Sequence, residues 1–95
     1  MWLQDSHPRY LQLSPVGREF YRAALLLSER QGHPGQLIGD EAGQVPVDQA
    51  TYIDGAPEVV GSGLLRILRD SANDVLELPA VLDGQRIWVA GGRVR

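Results

Sequence analysis

The sequence lacks cysteine, long apolar runs and the features of a signal peptide. Its 95 residues include no cysteine, so neither a disulfide framework nor a thiolate zinc site is possible. The longest apolar run, residues 23–27, is far too short to cross a bilayer. The first residues also lack the basic start and apolar stretch of a signal peptide. We therefore expect a cytoplasmic protein, or one carried inside a larger assembly, without a membrane segment.

The chain also has no lysine, so all nine of its basic residues are arginine. A GC-rich genome explains this usage, and selection for planar, bidentate contacts at an interface is the functional alternative. The net charge of −3 disfavours a nucleic-acid binder that works by neutralising phosphates. The hydrophobic fraction of 43% and the charged fraction of 22% are those of a globular protein. The length predicts one small domain over residues 1–95.

The clearest helix signal begins at Ser14-Pro15. Serine is a favoured N-cap, and proline at the first helical position loses no hydrogen bond. Apolar residues at helical spacing then extend the pattern to about Gln31, and Gly32 ends it. The face consists of Val16, Phe20, Ala23, Ala24 and Leu27.

The remaining segments before residue 75 give weaker patterns. Alternating or apolar stretches predict short strands at residues 10–13, 36–38 and 45–53, with a loop at 39–43. Pro46 would confine the third of these strands to an edge or to its first residues. A second helix is predicted over residues 57–70. Because Gly61 and Gly63 each cost about 1 kcal/mol in a helix interior, a start at Ser62 is the alternative.

The strongest short-range signal is Asp83-Gly84 between two alternating runs, which predicts a β-hairpin over residues 75–90. A two-residue type I′ turn places Pro79 opposite Trp88. The core face then carries Leu78, Ala80, Leu82, Ile87 and Val89, and the other face carries Glu77, Pro79, Val81, Arg86, Trp88 and Ala90. Because Pro79 has no N–H for a neighbour on its other side, residues 75–82 are expected to form a sheet edge.

The second face of this hairpin is more apolar than solvent favours. Either a helix or the segment around Trp2 covers it, or a partner or another subunit packs against it. In the second case, the interaction residues are Pro79, Val81, Arg86 and Trp88.

Together these elements predict an α+β fold, with two helices packed on a small, mainly antiparallel sheet that ends in a C-terminal β-hairpin. A β-α-β-β-α-β order, similar to a ferredoxin-like fold, is one possible arrangement.

Three functions follow from these features. The leading hypothesis is a non-catalytic protein-interaction or assembly module that uses the hairpin face and the edge strand, with a protein partner or self-association. The first alternative is a nucleic-acid-associated accessory protein, with Arg18, Arg22 and Arg30 on one helix and Arg93 and Arg95 at the C-terminus.

The second alternative is a small metal-dependent enzyme with an acidic loop. Its carboxylates would be Asp40, Glu41, Asp48, Asp54 and Glu58. His7 and His33 show no spacing typical of metal ligands. We therefore expect no cofactor, and assign no catalytic or metal-binding residue.

Overall fold

The computed structural model describes residues 7–69 and 74–89. The helices are α1 (Pro8–Leu11), α2 (Pro15–Arg30), a 3-10 helix (Gly39–Gln44) and α3 (Gln49–Ser62). The strands are β1 (Gln36–Ile38), β2 (Arg66–Arg69), β3 (Asp74–Glu77), β4 (Val81–Leu82) and β5 (Gln85–Arg86). Two long helices with small antiparallel sheets confirm the predicted α+β class.

Helix α2 forms as predicted. Ser14 is its N-cap, and the Ser14 hydroxyl accepts a hydrogen bond from the Gly17 N–H at 3.3 Å. Pro15 occupies the first helical position. The buried face includes Phe20, Tyr21, Ala24, Leu25 and Leu27, so the helix packs through the apolar stripe that its sequence carries.

Helix α3 differs from the prediction, because it occupies most of the segment expected to be a strand at 45–53. It begins after Asp48, contains Pro57 in its interior, and ends where Gly63 adopts a φ of 84°. Burial of Val59 and the close contact of Gly55 with α2 outweigh the poor intrinsic helix preference of this segment. The predicted helix over 57–70 is therefore wrong beyond residue 62, and residues 66–69 form β2 instead.

The predicted strand at residues 10–13 is also wrong, because Pro8–Leu11 is a short helix. His7 caps it: the His7 Nδ1 accepts a hydrogen bond from the Arg9 N–H at 3.1 Å. Pro8 then takes the first helical position, where a proline is tolerated. The predicted strand at 36–38 is confirmed, and a 3-10 helix replaces the loop that follows it.

The main sheet has the strand order β1-β3-β2, and both pairings are antiparallel. Strand β3 is therefore central, and the expected edge is wrong for residues 75–77. Within the described residues, β4 (residues 81–82) pairs with β5 alone. Strand β3 ends at Glu77, before Pro79, so the missing proline N–H interrupts no ladder. The element order is not the ferredoxin-like one.

The predicted hairpin turn is confirmed, because Asp83 and Gly84 both have positive φ (54° and 77°), as a type I′ turn requires. Strands β4 and β5 pair in the expected register, with Val81 opposite Arg86. One further hydrogen bond joins the Ile87 N–H to the Ala80 carbonyl at 2.8 Å. The ladder does not extend to residues 75–78, since β3 is bonded on both sides by β1 and β2. Ala90 lies outside the described residues.

The core lies where α2 meets α3 and the inner face of the sheet. The largest fully buried side chains include Tyr21, Phe20, Leu25, Leu37 and Leu64. The two long helices approach closely at Gly55, where an added Cβ would lie 2.9 Å from the Phe20 Cβ and from the Val16 carbonyl oxygen. Within the described parts of the chain, no helix is long and apolar enough to span a membrane.

Candidate interaction surface

The predicted register placed Trp88 on the hairpin face away from the core, covered either by another segment of the chain or by a partner. In the structure the chain itself covers it. Trp88 is 8% exposed and belongs to the core. Its indole Nε1–H donates a hydrogen bond to the Leu78 carbonyl at 3.1 Å. The ring covers Gly35, where an added Cβ would lie 2.5 Å from a ring carbon. The α2–β1 turn thus covers Trp88, which leaves little of this side chain for a partner.

The other three predicted interaction residues remain partly or fully accessible. Val81 is 49% exposed, Arg86 faces it across the hairpin and is exposed, and Pro79 is half-buried. The accessible part of the predicted hairpin face is therefore one apolar side chain beside one arginine.

A polar network ties α1 to this hairpin. The buried His7 has its Nε2 at 3.2 Å from the Leu82 carbonyl oxygen. Because the His7 Nδ1 accepts from the Arg9 N–H, the proton is on Nε2, which donates to Leu82. The Arg9 side chain bonds the Asp83 carboxylate and also donates to the Ser62 carbonyl at 2.9 Å. All these groups satisfy one another, so we interpret the cluster as structural.

An exposed apolar groove lies between α3 and β2, with a volume of about 590 Å³. Seven uncharged residues line it: Tyr52, Ile53, Ala56, Pro57, Val60, Gly61 and Ile67. Ile53 is 59% exposed and Ile67 50% exposed. In a monomer such a surface leaves large aliphatic side chains in water, which typically marks an interaction site.

The burial of one row of side chains shows where the sheet is left uncovered. Leu37, Leu76 and Ile67 are aligned across β1, β3 and β2, and so share one face of the sheet. Leu37 is 1% exposed, whereas Ile67 at the other end of the row is 50% exposed. Among the described residues, the helical layer therefore covers the β1 side of the sheet and leaves the β2 side open.

Sequence reasoning missed this surface because it assigned only the second half of α3 to a helix and the first half to a strand. In a helix that begins at Gln49, Ile53, Pro57 and Val60 follow the spacing i, i+4, i+7 and lie on one face. The signal was present, with Asp48 as an N-cap residue and Gly63 as a stop. It was hidden because β-branched residues and Pro57 favoured other structures.

The arginines proposed for nucleic-acid binding are partly engaged within the chain. The Arg18 and Arg22 guanidinium carbons lie 5.5 and 5.6 Å from the Tyr10 ring centroid. Arg18 also donates to the Leu11 carbonyl. Arg30 is at the far end of α2 and is exposed. The structure brings Arg18 and Arg22 together but not Arg30, while Arg93 and Arg95 lie outside the described residues.

The acidic residues of the alternative enzyme are dispersed. Glu41 accepts from the Ile38 N–H at 2.7 Å and pairs with His33. Glu58 accepts from the Ser14 hydroxyl at 2.8 Å, at the N-terminus of α2. Among residues 7–69 and 74–89, no three His, Asp or Glu side chains converge as metal ligands. Glu58 and Glu41 therefore serve the fold, by binding at the start of α2 and by pairing with His33.

Comparison with known proteins adds no assignment. No protein-family model matches the chain, and neither a curated protein nor a solved structure matches it.

Proposed function

We propose that the protein is a non-catalytic interaction module whose contact surface is the α3–β2 groove. The observation that carries the proposal is the uncharged groove itself, with Ile53 and Ile67 at least half exposed on its two sides. Burying such side chains against a partner is favourable by about 25 cal/mol per Å² of apolar surface removed from water. The hairpin residues Val81 and Arg86 are a smaller surface of the same kind.

Two features support the groove over the hairpin face. Its seven residues form one continuous apolar surface, whereas the exposed Val81 faces the charged Arg86 across the hairpin. Its lining also includes Ala56 and Gly61, whose small side chains allow another backbone to approach closely. Apolar and concave contact regions are where interface energy concentrates.

The test is site-specific photo-crosslinking of the full chain in its own host. A benzophenone amino acid replaces Ile53 in one variant and Ile67 in a second. The matched control carries it at Leu26, which is 42% exposed on α2, away from the groove. A fourth variant carries it at Val81 and probes the hairpin face.

We expect defined protein adducts from positions 53 and 67, and none above background from position 26. If positions 53 and 67 give no more adduct than position 26, the groove is not a contact surface and the proposal is wrong. Adducts from position 81 alone would indicate that the contact surface is the hairpin face and not the groove. A cytoplasmic location stays a prediction, and fractionation of the host cells tests it.

A further inference from the structure

The open edge of the sheet indicates what binds the groove, on the premise that the proposed interaction function is correct. We infer that the partner is a second copy of this chain, which pairs β2 with β2 in an antiparallel manner around a two-fold axis at Ile67. The result is a continuous six-stranded sheet with the two α3 helices on the same side.

The hydrogen-bond pattern shows which backbone groups of β2 are free. The Leu78 N–H donates to the Gly35 carbonyl at 2.8 Å, which continues the β1–β3 register by one residue. Hydrogen-bonded pairs alternate along antiparallel strands, so Leu76 bonds towards β1, while Val75 and Glu77 bond towards β2.

The partners of Glu77 and Val75 on β2 are Arg66 and Leu68. The N–H and C=O of Ile67, between them, therefore point away from β3. Within the described residues β2 pairs with β3 alone, so this edge is unpaired there. An unpaired edge strand flanked by exposed apolar side chains is a template for adding another strand.

The geometry then selects one register. When Ile67 faces Ile67 of the second copy, both residues exchange their free N–H and C=O groups, and Arg66 faces Leu68. A shift of two residues in one direction would place Arg66 opposite Arg66, and like charges directly opposite are destabilising. The shift in the other direction would place an arginine, residue 69, at the register position opposite Ile67.

The groove favours the same arrangement. Ile67 lines it, so a two-fold axis at Ile67 brings the two grooves side by side. The exposed faces of α3, with Ile53 and Val60, then cover each other over the paired Ile67 side chains. No lining residue carries a charge, so the contact leaves no ionised lining side chain without a counterion. The same patch serves both copies, as two-fold symmetry requires.

The first experiment measures mass. Sedimentation equilibrium of the full chain should give twice the 10.4 kDa of the monomer at micromolar concentration. Ile67→Arg should convert this dimer to a monomer, because two guanidinium groups would meet at the axis. Val81→Arg is the matched control, since Val81 is 49% exposed and lies on the hairpin, and should leave the mass unchanged. Circular dichroism checks that both variants fold.

The second experiment tests the register. Because the chain has no cysteine of its own, only the introduced cysteines can form disulfides. Arg66 of one copy and Leu68 of the other would form a non-hydrogen-bonded pair. Their Cα atoms would lie roughly 4.5 Å apart, a distance that a disulfide can span. A mixture of R66C and L68C, oxidised under mild conditions, should therefore yield a mixed disulfide, identified by its mass. Either variant alone should give far less disulfide-linked dimer.

The outcomes separate this inference from the proposed function. A monomer at all accessible concentrations, or a dimer without the mixed disulfide, overturns the β2–β2 arrangement. If photo-crosslinking at Ile53 and Ile67 then gives adducts with a different protein, the interaction function stands and the second copy is excluded. Without any adduct, both proposals are wrong.

Discussion

The Arg9 guanidinium binds both carboxylate oxygens of Asp83, with Nε to Oδ2 at 2.8 Å and Nη2 to Oδ1 at 3.2 Å. This pair joins the first helix to the hairpin turn across 74 positions of sequence. The two side chains are 44% and 55% exposed, so water screens their attraction. The hydrogen bond from Arg9 to the Ser62 carbonyl extends the same contact to the end of α3.

Breaking this ion pair should have a small, salt-sensitive effect on stability. Asp83→Asn removes the charge but keeps a residue that tolerates positive φ, so we expect a loss of roughly 0.5 kcal/mol. Asp83→Ala should cost more, because alanine also disfavours the turn conformation. Urea unfolding of Arg9→Ala, Asp83→Asn and the double variant measures the coupling. A coupling energy of zero at low salt would show that the pair does not contribute.

Trp88 should be essential for stability rather than for binding. Trp88→Ala removes a buried ring that packs on Gly35, and we expect a loss of roughly 3–5 kcal/mol. Val81→Ala, on the same hairpin but 49% exposed, should change the free energy of unfolding by less than about 0.5 kcal/mol. Thermal unfolding of both variants checks this, and equal effects would contradict the placement of Trp88 in the core.

Two glycines of α3 should respond to alanine in opposite directions. At Gly55 the new methyl group would meet the Val16 backbone oxygen and the Phe20 Cβ, so the helices must separate, at a cost of roughly 1–3 kcal/mol. At Gly61 nothing lies within 4 Å, and alanine should stabilise the helix by up to about 1 kcal/mol. Denaturant unfolding compares the two. A stabilising Gly55→Ala would show that α2 and α3 are not in close contact there.

The Tyr21 hydroxyl is buried and has no hydrogen-bond partner among the described residues. Burial raises the pKa of this phenol, so the group stays neutral under ordinary conditions. Tyr21→Phe keeps the ring contact with Tyr10 and removes the unpaired hydroxyl. We expect the free energy of unfolding to rise by about 1 kcal/mol. A fall of similar size would show that the hydroxyl has a partner elsewhere in the chain.

His33 should make stability depend on pH. Its pKa is raised, mainly by the Gln36 carbonyl 2.7 Å from Nδ1 and also by the Glu41 carboxylate, while partial burial opposes the shift. Because the folded pKa exceeds the unfolded one, this stabilisation is complete below the unfolded pKa of about 6.5 and is lost as pH rises through the folded value.

Nuclear magnetic resonance titration of the His33 ring should give a pKa above about 6.5. Glu41→Gln should lower it, because the carboxylate no longer favours the charged ring. His33→Asn should remove this part of the pH dependence of unfolding. An unshifted pKa would contradict the contacts with Gln36 and Glu41.

The elements that sequence predicted well are those whose signals are local. Ser14-Pro15 begins α2, and Asp83-Gly84 forms the hairpin turn, because capping and positive φ depend on a few adjacent residues. Strand β3 was misplaced for the opposite reason. Its neighbour β1 is distant in sequence, and β2 was not identified as a strand. The alternating pattern alone therefore assigned residues 75–78 to the wrong partner.

The surface proposed for contacts was unpredictable for a related reason. Apolar residues at positions 64, 65, 67 and 68 fit a helix as well as a strand, so β2 was read as part of a helix. Without β2 there is no open edge, and without α3 there is no groove beside it. The interaction hypothesis therefore followed the hairpin, where Trp88 was the most conspicuous side chain, although the fold buries it.

The close approaches at Gly35 and Gly55 have a consequence for tracing this protein's ancestry. A side chain at either position would collide with the Trp88 ring or with the α2 backbone, whatever the surface of the molecule evolves to bind. Diverged relatives should therefore retain these two glycines, about twenty residues apart, together with a large aromatic residue near the C-terminus. This pattern of three positions can be used to identify relatives whose overall sequence identity is low.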